Sequence, residues 1–206
     1  MSKETVFIVD DDLDMRTSLR WLIESIGLKV EVFESAEAFI EADRLEQPGC
    51  LILDVRMPGM GGIRLLEQLR KSSCRLPTIM LTGHGEISMA VQTMKSGAFD
   101  FLEKPASPQV ILERVQDALR LDRETREKAK DHQAFDEKLA QLTRREKEIL
   151  DRLVAGESTR IVAENLFISE RTVEKHRERV LHKMQTHSMI ELIRQVIEQG
   201  GHTRSL

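Results

Sequence analysis

The sequence predicts an α/β domain built on a five-stranded, doubly wound parallel sheet, followed by an all-α four-helix domain containing a helix-turn-helix. Three observations lead there. Over the first 120 residues, short apolar runs alternate five times with amphipathic helical stretches, the arithmetic of βα units. Four of those runs end in polar residues of matching chemistry. Beyond residue 140 the strand signals vanish and helix caps take over.

Taken in order, residues 6–9 form an apolar β-branched strand that runs into Asp10, Asp11 and Asp12. Leu19, Leu22, Ile23 and Ile26 then mark one helical face, stopped at Gly27. A strand over 30–33, a short helix over 36–42 and a strand over 50–53 follow, the last meeting Asp54. Ile63, Leu65, Leu66 and Leu69 give a helix; residues 78–81 a strand ending at Thr82; and 87–95 a helix. Residues 98–102 form the last strand, leading to Glu103, Lys104 and Pro105, and 110–119 a final helix.

Residues 121–140 hold 11 charged side chains and no Gly or Pro, so they read as a solvated helix rather than a flexible tether. A parallel coiled coil is the alternative, on a sparse seam of Leu112, Val115, Leu119, Phe135 and Leu139. Thr143 with Glu146 is a capping box opening a helix with Ile149, Leu150 and Leu153 inward and Gly156 as its stop. A short helix from Ser158 carries Ile161, Val162 and Leu166. Ser169 caps a third helix, with Val173, Val180 and Met184 on its buried stripe. Ser188 and Glu191 open a last helix with Leu192, Ile193, Val196 and Ile197. The tight turn between the second and third helices marks a helix-turn-helix. The predicted organisation is therefore 1–120, a charged helical connector 121–140, and 141–206.

Net charge is −4, unevenly divided. Residues 1–120 stand at −5, whereas 141–206 stand at +2, so the two halves suit different partners. No stretch reads as a signal peptide or a membrane span, which points to the cytoplasm. Cys50 and Cys74 lack zinc or redox spacing and read as buried small hydrophobes.

Adjacent acids repel one another unless a cation sits among them. The carboxyl ends of parallel strands share one edge of a sheet, where this sequence gathers acids, a hydroxyl and an ammonium. That set suits magnesium and a phosphoryl group. Taken singly, Asp54 reads as a strand terminator, Lys104 as a surface lysine, and Asp10 with Asp11 as a cap on the first helix. Their joint occurrence at four strand ends favours a functional site.

The runs Ile8-Val9-Asp10-Asp11, Asp54-Val55-Arg56-Met57-Pro58-Gly59, Leu81-Thr82-Gly83-His84-Gly85 and Glu103-Lys104-Pro105 resemble, in order and spacing, the two-component receiver domain. Residues 141–200 resemble the NarL/LuxR-class output domain, and the combination resembles FixJ-type response regulators. The resemblance implies that Asp54 accepts a phosphoryl group from a sensor histidine kinase. It implies Mg²⁺ held by Asp11, Asp54 and the main-chain carbonyl of Arg56, with Asp10 acting through water, a hard oxygen-only set. Lys104 and Thr82 would each bind a phosphoryl oxygen, and Thr82 with Phe101 would relay the switch. Arg56 and His84 sit where the family tunes hydrolysis of the phosphoryl group. Asp12 carries no family role and reads as a solvated loop acid.

In the third output helix, Arg171-Thr172-Val173-Glu174-Lys175-His176 resembles the family's recognition signature. With Val173, Val180 and Met184 inward, a 100° step puts Arg171, Lys175, Glu178 and His182 on the opposite face, flanked by Glu174 and Arg179. This face would read the major groove of double-stranded promoter DNA. Arg160, Arg177 and Lys183 would touch phosphate, and His176 reads as a packing residue. Homodimerisation on phosphorylation and contact with RNA polymerase are the further partners implied. RNA is the alternative ligand, disfavoured by having only Phe135 and Phe167 as aromatics beyond residue 120. A hydrolase acting through a phosphoaspartate would need a lid for which no insertion is large enough.

Overall fold

The computed structural model describes residues 4–72, 74–83 and 87–199, with no account of the side chains of 87–89. The chain forms two compact units, Met1–Arg126 and Glu127–Leu206.

In the first unit the strands are β1 (Thr5–Val9), β2 (Lys29–Phe33), β3 (Gly49–Asp54), β4 (Thr78–Thr82) and β5 (Asp100–Glu103). They pair in parallel in the order β2-β1-β3-β4-β5. The helices between and after them are α1 (Leu13–Glu24), α2 (Ala36–Glu41), α3 (Gly62–Lys71), α4 (Ile87–Lys95) and α5 (Pro108–Ala140). This is the predicted doubly wound sheet, buried on both faces. Strand alternation divides its core: Phe7, Val9, Leu51, Leu53 and Met80 pack with Phe39, Leu65, Leu66 and Leu69 of α2 and α3. Val6, Ile8, Ile52, Ile79 and Leu81 pack with Leu19, Ile23, Val115 and Leu119 of α1 and α5. Cys50 and Cys74 are buried thiols within these two layers.

Two local readings change. Ile26, expected on the inner face of α1, is exposed, because the helix ends at Glu24 with Ser25 as its C-cap and Ile26 lies beyond it. The charged stretch from residue 121 is helical throughout, as part of α5, but it is not simply solvated. Asp122 is 1 % exposed and accepts the Gly49 amide at 2.9 Å. Arg126, one turn on, meets both Asp122 oxygens at 2.9 and 2.8 Å and donates to the carbonyls of Glu46 and Gln47 at 2.9 and 2.7 Å. A buried acid needs partners of this kind. Gly49 itself is obligatory, since a Cβ there would lie 1.9 Å from the Thr5 carbonyl oxygen.

In the second unit, α6 (Arg144–Val154), α7 (Thr159–Asn165), α8 (Glu170–Met184) and α9 (Met189–Gln199) enclose one core of Ile149, Leu150, Val162, Val173, Val180 and Leu192, joined by Phe135 and Leu139. The capping box at Thr143 and Glu146 forms, and Ser158 and Ser169 cap α7 and α8 through the amides of Ile161 and Thr172. Ile161 and Ile197, expected inward, are exposed, each lying off the narrow stripe that its helix buries.

Candidate functional site

The switch in strand order between β1 and β3 places the exits of those strands side by side: Val9 pairs with Leu53, and the next residues are Asp10 and Asp54. Asp10 is 1 % exposed and Asp54 6 %. From the far side of β4, Lys104 brings its ammonium between them, 2.7 Å from Asp10 Oδ2 and 2.6 Å from Asp54 Oδ1. Lys104 is placed by its own amide, which donates to the Thr82 carbonyl at 2.6 Å. Thr82 is buried at the end of β4, and Phe101, half-buried beside Met80, packs against the α2–α3 side of the core.

The loop after β3 is fixed as tightly. The Arg56 amide donates to Asp54 Oδ2 at 2.8 Å, while the Arg56 side chain is exposed. Gly62 donates to the Val55 carbonyl, and a Cβ on Gly62 would lie 2.0 Å from the Asp54 carbonyl oxygen, so α3 starts against the end of β3 only with glycine there. Glu37 of α2 holds the Met60 amide at 3.0 Å. Among the described residues, nothing lies within 4 Å of a Cβ placed on Gly83. His84 lies outside the described residues.

Asp11 is exposed at the mouth of the site. Asp12 corrects an expectation: instead of a merely solvated acid it is the N-cap of α1, accepting from the amides of Asp14 and Met15 at 2.8 and 3.2 Å. Its own amide donates to Asp10 Oδ1 at 2.9 Å, and Arg16 donates to the Asp10 carbonyl at 2.6 Å. Sequence reading missed Arg16 and Glu37, whose helical positions mark them only as surface charges.

Burial dominates at Asp54 and pushes its carboxyl up, opposed by Lys104 and reinforced by Asp10. Burial would lower Lys104, but Asp10 and Asp54 together hold it up. The charge on Lys104 is the firmer of the two, because it has two carboxylate partners whereas Asp54 has one ammonium and a like-charged neighbour. A carboxylate beside a secured ammonium suits a group that brings negative charge. Among the described residues no three His, Cys, Asp or Glu side chains converge as a metal cluster. Two neighbouring carboxylates, an exposed third and a backbone carbonyl nevertheless fit Mg²⁺, which takes one or two carboxylates and keeps water.

In the second unit, α8 buries Val173, Val180 and Met184 and exposes Arg171, Glu174, Lys175, Glu178, Arg179 and His182, the face read from helical spacing. Of the residues expected on phosphate, Arg160 is exposed and paired with Glu164 at 3.1 Å. Arg177 is half-buried, bonded to Glu174 at 2.6 Å and to Thr159 at 3.0 Å. Lys183 is half-buried: its ammonium sits 2.6 Å from Glu146 and 3.2 Å from the Gln141 carbonyl, so it compensates a buried acid. His176 is half-buried, in keeping with packing.

Residues 6–116 match the family described as response regulator receiver domain, and residues 140–196 match the bacterial regulatory proteins of the luxR family. The chain is 43 % identical over 198 residues to the transcriptional regulatory protein TdiR of Thauera aromatica, covering 96 % of this chain and 87 % of TdiR. It is 37 % identical to the transcriptional regulatory protein FixJ of Bradyrhizobium diazoefficiens, over 97 % of both chains. Among solved structures, the response regulator StyR superposes with a TM-score of 0.86 at 40 % identity, covering 95 % of this chain and 99 % of StyR.

Proposed function

The chain belongs to the response regulators that join a receiver domain to a LuxR-family DNA-binding domain, and we propose that a phosphoryl group accepted on Asp54 switches it. Within that family it is a transcription regulator of a two-component system, not an enzyme. The proposed donor is a sensor histidine kinase, and the proposed outputs are homodimerisation, binding to promoter DNA and contact with RNA polymerase, all in the cytoplasm. The functional division follows residues 1–120, the connector 121–140 and 141–206.

One observation carries the reading: Lys104 lies within hydrogen-bond distance of both buried carboxylates. An Asp54 oxygen attacks the phosphorus of a phosphohistidine; the new O–P bond forms as the P–N bond breaks, with its electron pair left on the imidazole nitrogen. Catalysis of such a transfer is positioning and charge neutralisation, which the cluster supplies. The Arg56 amide orients the acceptor. Lys104 exchanges its contact with Asp54 for a phosphoryl oxygen. Asp10, Asp11, Asp54 and the Arg56 carbonyl would hold Mg²⁺, which when bound neutralises the phosphoryl oxygens.

With the phosphoryl group in place the Thr82 hydroxyl turns toward it, and Phe101 on the neighbouring strand repacks, carrying the change to the outer face of α4, β5 and α5. The exposed Arg56 side chain and His84 set how readily water reaches the acyl phosphate. On α8, Arg171, Lys175, Glu178 and His182, with Glu174 and Arg179, form the base-reading face, while Arg160 and Arg177 serve phosphate. Reductive trapping after incubation with acetyl phosphate and Mg²⁺ tests the acceptor: the adduct maps to Asp54, and full labelling of Asp54→Asn would refute the assignment.

A further inference from the structure

Phe167 occupies a position that an aromatic side chain gains nothing from inside the fold. It follows the C-cap of α7, Leu166, and takes a left-handed backbone with φ of 55°. The Ile168 amide donates to the Ala163 carbonyl and the Phe167 amide to that of Glu164, the paired bonds of a helix stop whose left-handed residue is ordinarily glycine. A bulky L-residue there is strained. The strain is not offset by burial, for Phe167 is 95 % exposed. Among the described aromatic residues only Trp21, in the other unit, is also exposed.

Its place in the chain indicates what covers it. Phe167 stands two residues before Ser169, the N-cap of α8, within about 7.6 Å of Cα path of the start of that helix. The first turn of a reading helix is the part that meets base edges, and here it carries the exposed Arg171. Ile161, of the helix on the other side of the turn, is exposed as well. Nearby Glu164 is paired with Arg160, which tempers the acidity of this edge.

We propose that Phe167 is a DNA-contacting residue, which buries its ring against the apolar surface of the duplex beside the first turn of α8. That surface is a thymine methyl in the major groove or the face of a deoxyribose. The proposal rests on the reading of the second unit as a duplex-binding domain. It adds a contact of a kind the charged face of α8 lacks: an apolar one, which contributes affinity without releasing counterions.

The test uses the full chain treated with acetyl phosphate and a duplex selected by that protein from a randomised library, with Phe167→Gly and Phe167→Leu compared at three salt concentrations. Phe167→Gly is expected to melt at a higher temperature, because glycine adopts the left-handed turn without strain. The same variant is expected to bind about tenfold more weakly, the effect of losing roughly half the burial of a Phe side chain. The loss should be the same factor at each salt concentration, since no phosphate contact is removed. Phe167→Leu should keep most of the affinity. Repeating the comparison on a duplex with uracil for thymine assigns the contact: the difference between wild type and Phe167→Gly disappears if a methyl is the partner and persists if a sugar is. Unchanged binding by Phe167→Gly, or weaker binding accompanied by a lower melting temperature, would overturn the proposal while leaving the domain's function intact. Failure of the wild type to select any duplex would overturn the functional reading, and this proposal with it.

Discussion

Arg126 grips Asp122 through Nε, 2.8 and 2.9 Å from the two carboxylate oxygens, in a stretch whose composition suggests only solvated charge. The pair ties the extension of α5 to the strand that carries Asp54, because Asp122 also accepts the Gly49 amide at the start of β3. Removing one partner of a buried pair leaves the other uncompensated. Asp122→Ala is expected to destabilise the first unit by about 3 kcal/mol, read from urea unfolding; a change within error would mean that water replaces the carboxylate there.

The Lys183–Glu146 pair makes the second unit acid-sensitive. Burial alone would raise the Glu146 carboxyl, which is 3 % exposed, but hydrogen bonds from Lys183 and Thr143 outweigh it and hold it below its ordinary value. A depressed carboxyl contributes stability that is complete above its unfolded-state pKa and is lost as pH falls through the folded one. Melts of the wild type should therefore lose stability on the acid side of that window, and Glu146→Gln should flatten the dependence. Lys183→Met should destabilise at neutral pH by about 2 kcal/mol and leave the salt dependence of DNA binding unchanged, as suits a cation already paired with Glu146.

Gly62→Ala tests how closely α3 is set against the acceptor strand. The added methyl would meet backbone, the Asp54 carbonyl oxygen at 2.0 Å, with no flexible side chain to give way. A stability loss of about 3 kcal/mol and slower labelling by acetyl phosphate are expected, and wild-type labelling with unaltered stability would contradict the packing described.

Replacing Arg56 and His84 together by Ala should change the decay of the phosphorylated protein, followed by mass spectrometry. An unchanged decay curve would remove both from control of hydrolysis.

The acid site was legible because its members sit at strand ends, where local sequence specifies both the element and its exit: Asp10, Asp54, Thr82 and Lys104 need only the parallel topology to meet. The face of α8 was legible for a similar reason, since helical periodicity fixes Arg171, Lys175, Glu178 and His182 once Val173 and Val180 are inward. What escaped depends on contacts distant in sequence. Asp122 and Lys183 look like their exposed neighbours until Gly49, 73 residues away, and Glu146, 37 residues away, are brought to them. Asp12 escaped for a different reason: three consecutive acids offer three candidate caps, and only the backbone at the start of α1 selects one. Phe167 escaped because nothing in its sequence marks a left-handed residue where glycine would be usual.

In the proposed mechanism, phosphorylation of Asp54 drives dimerisation and through it DNA binding, linking two weak reading helices so that the second binds at high effective concentration. The direct measurement is sedimentation and duplex retention, at fixed salt, of the wild type and Asp54→Asn with and without acetyl phosphate and Mg²⁺. Only the phosphorylated wild type is expected to shift to dimer and gain affinity. A phosphorylated wild type that stays monomeric and binds its duplex with unchanged affinity would contradict it.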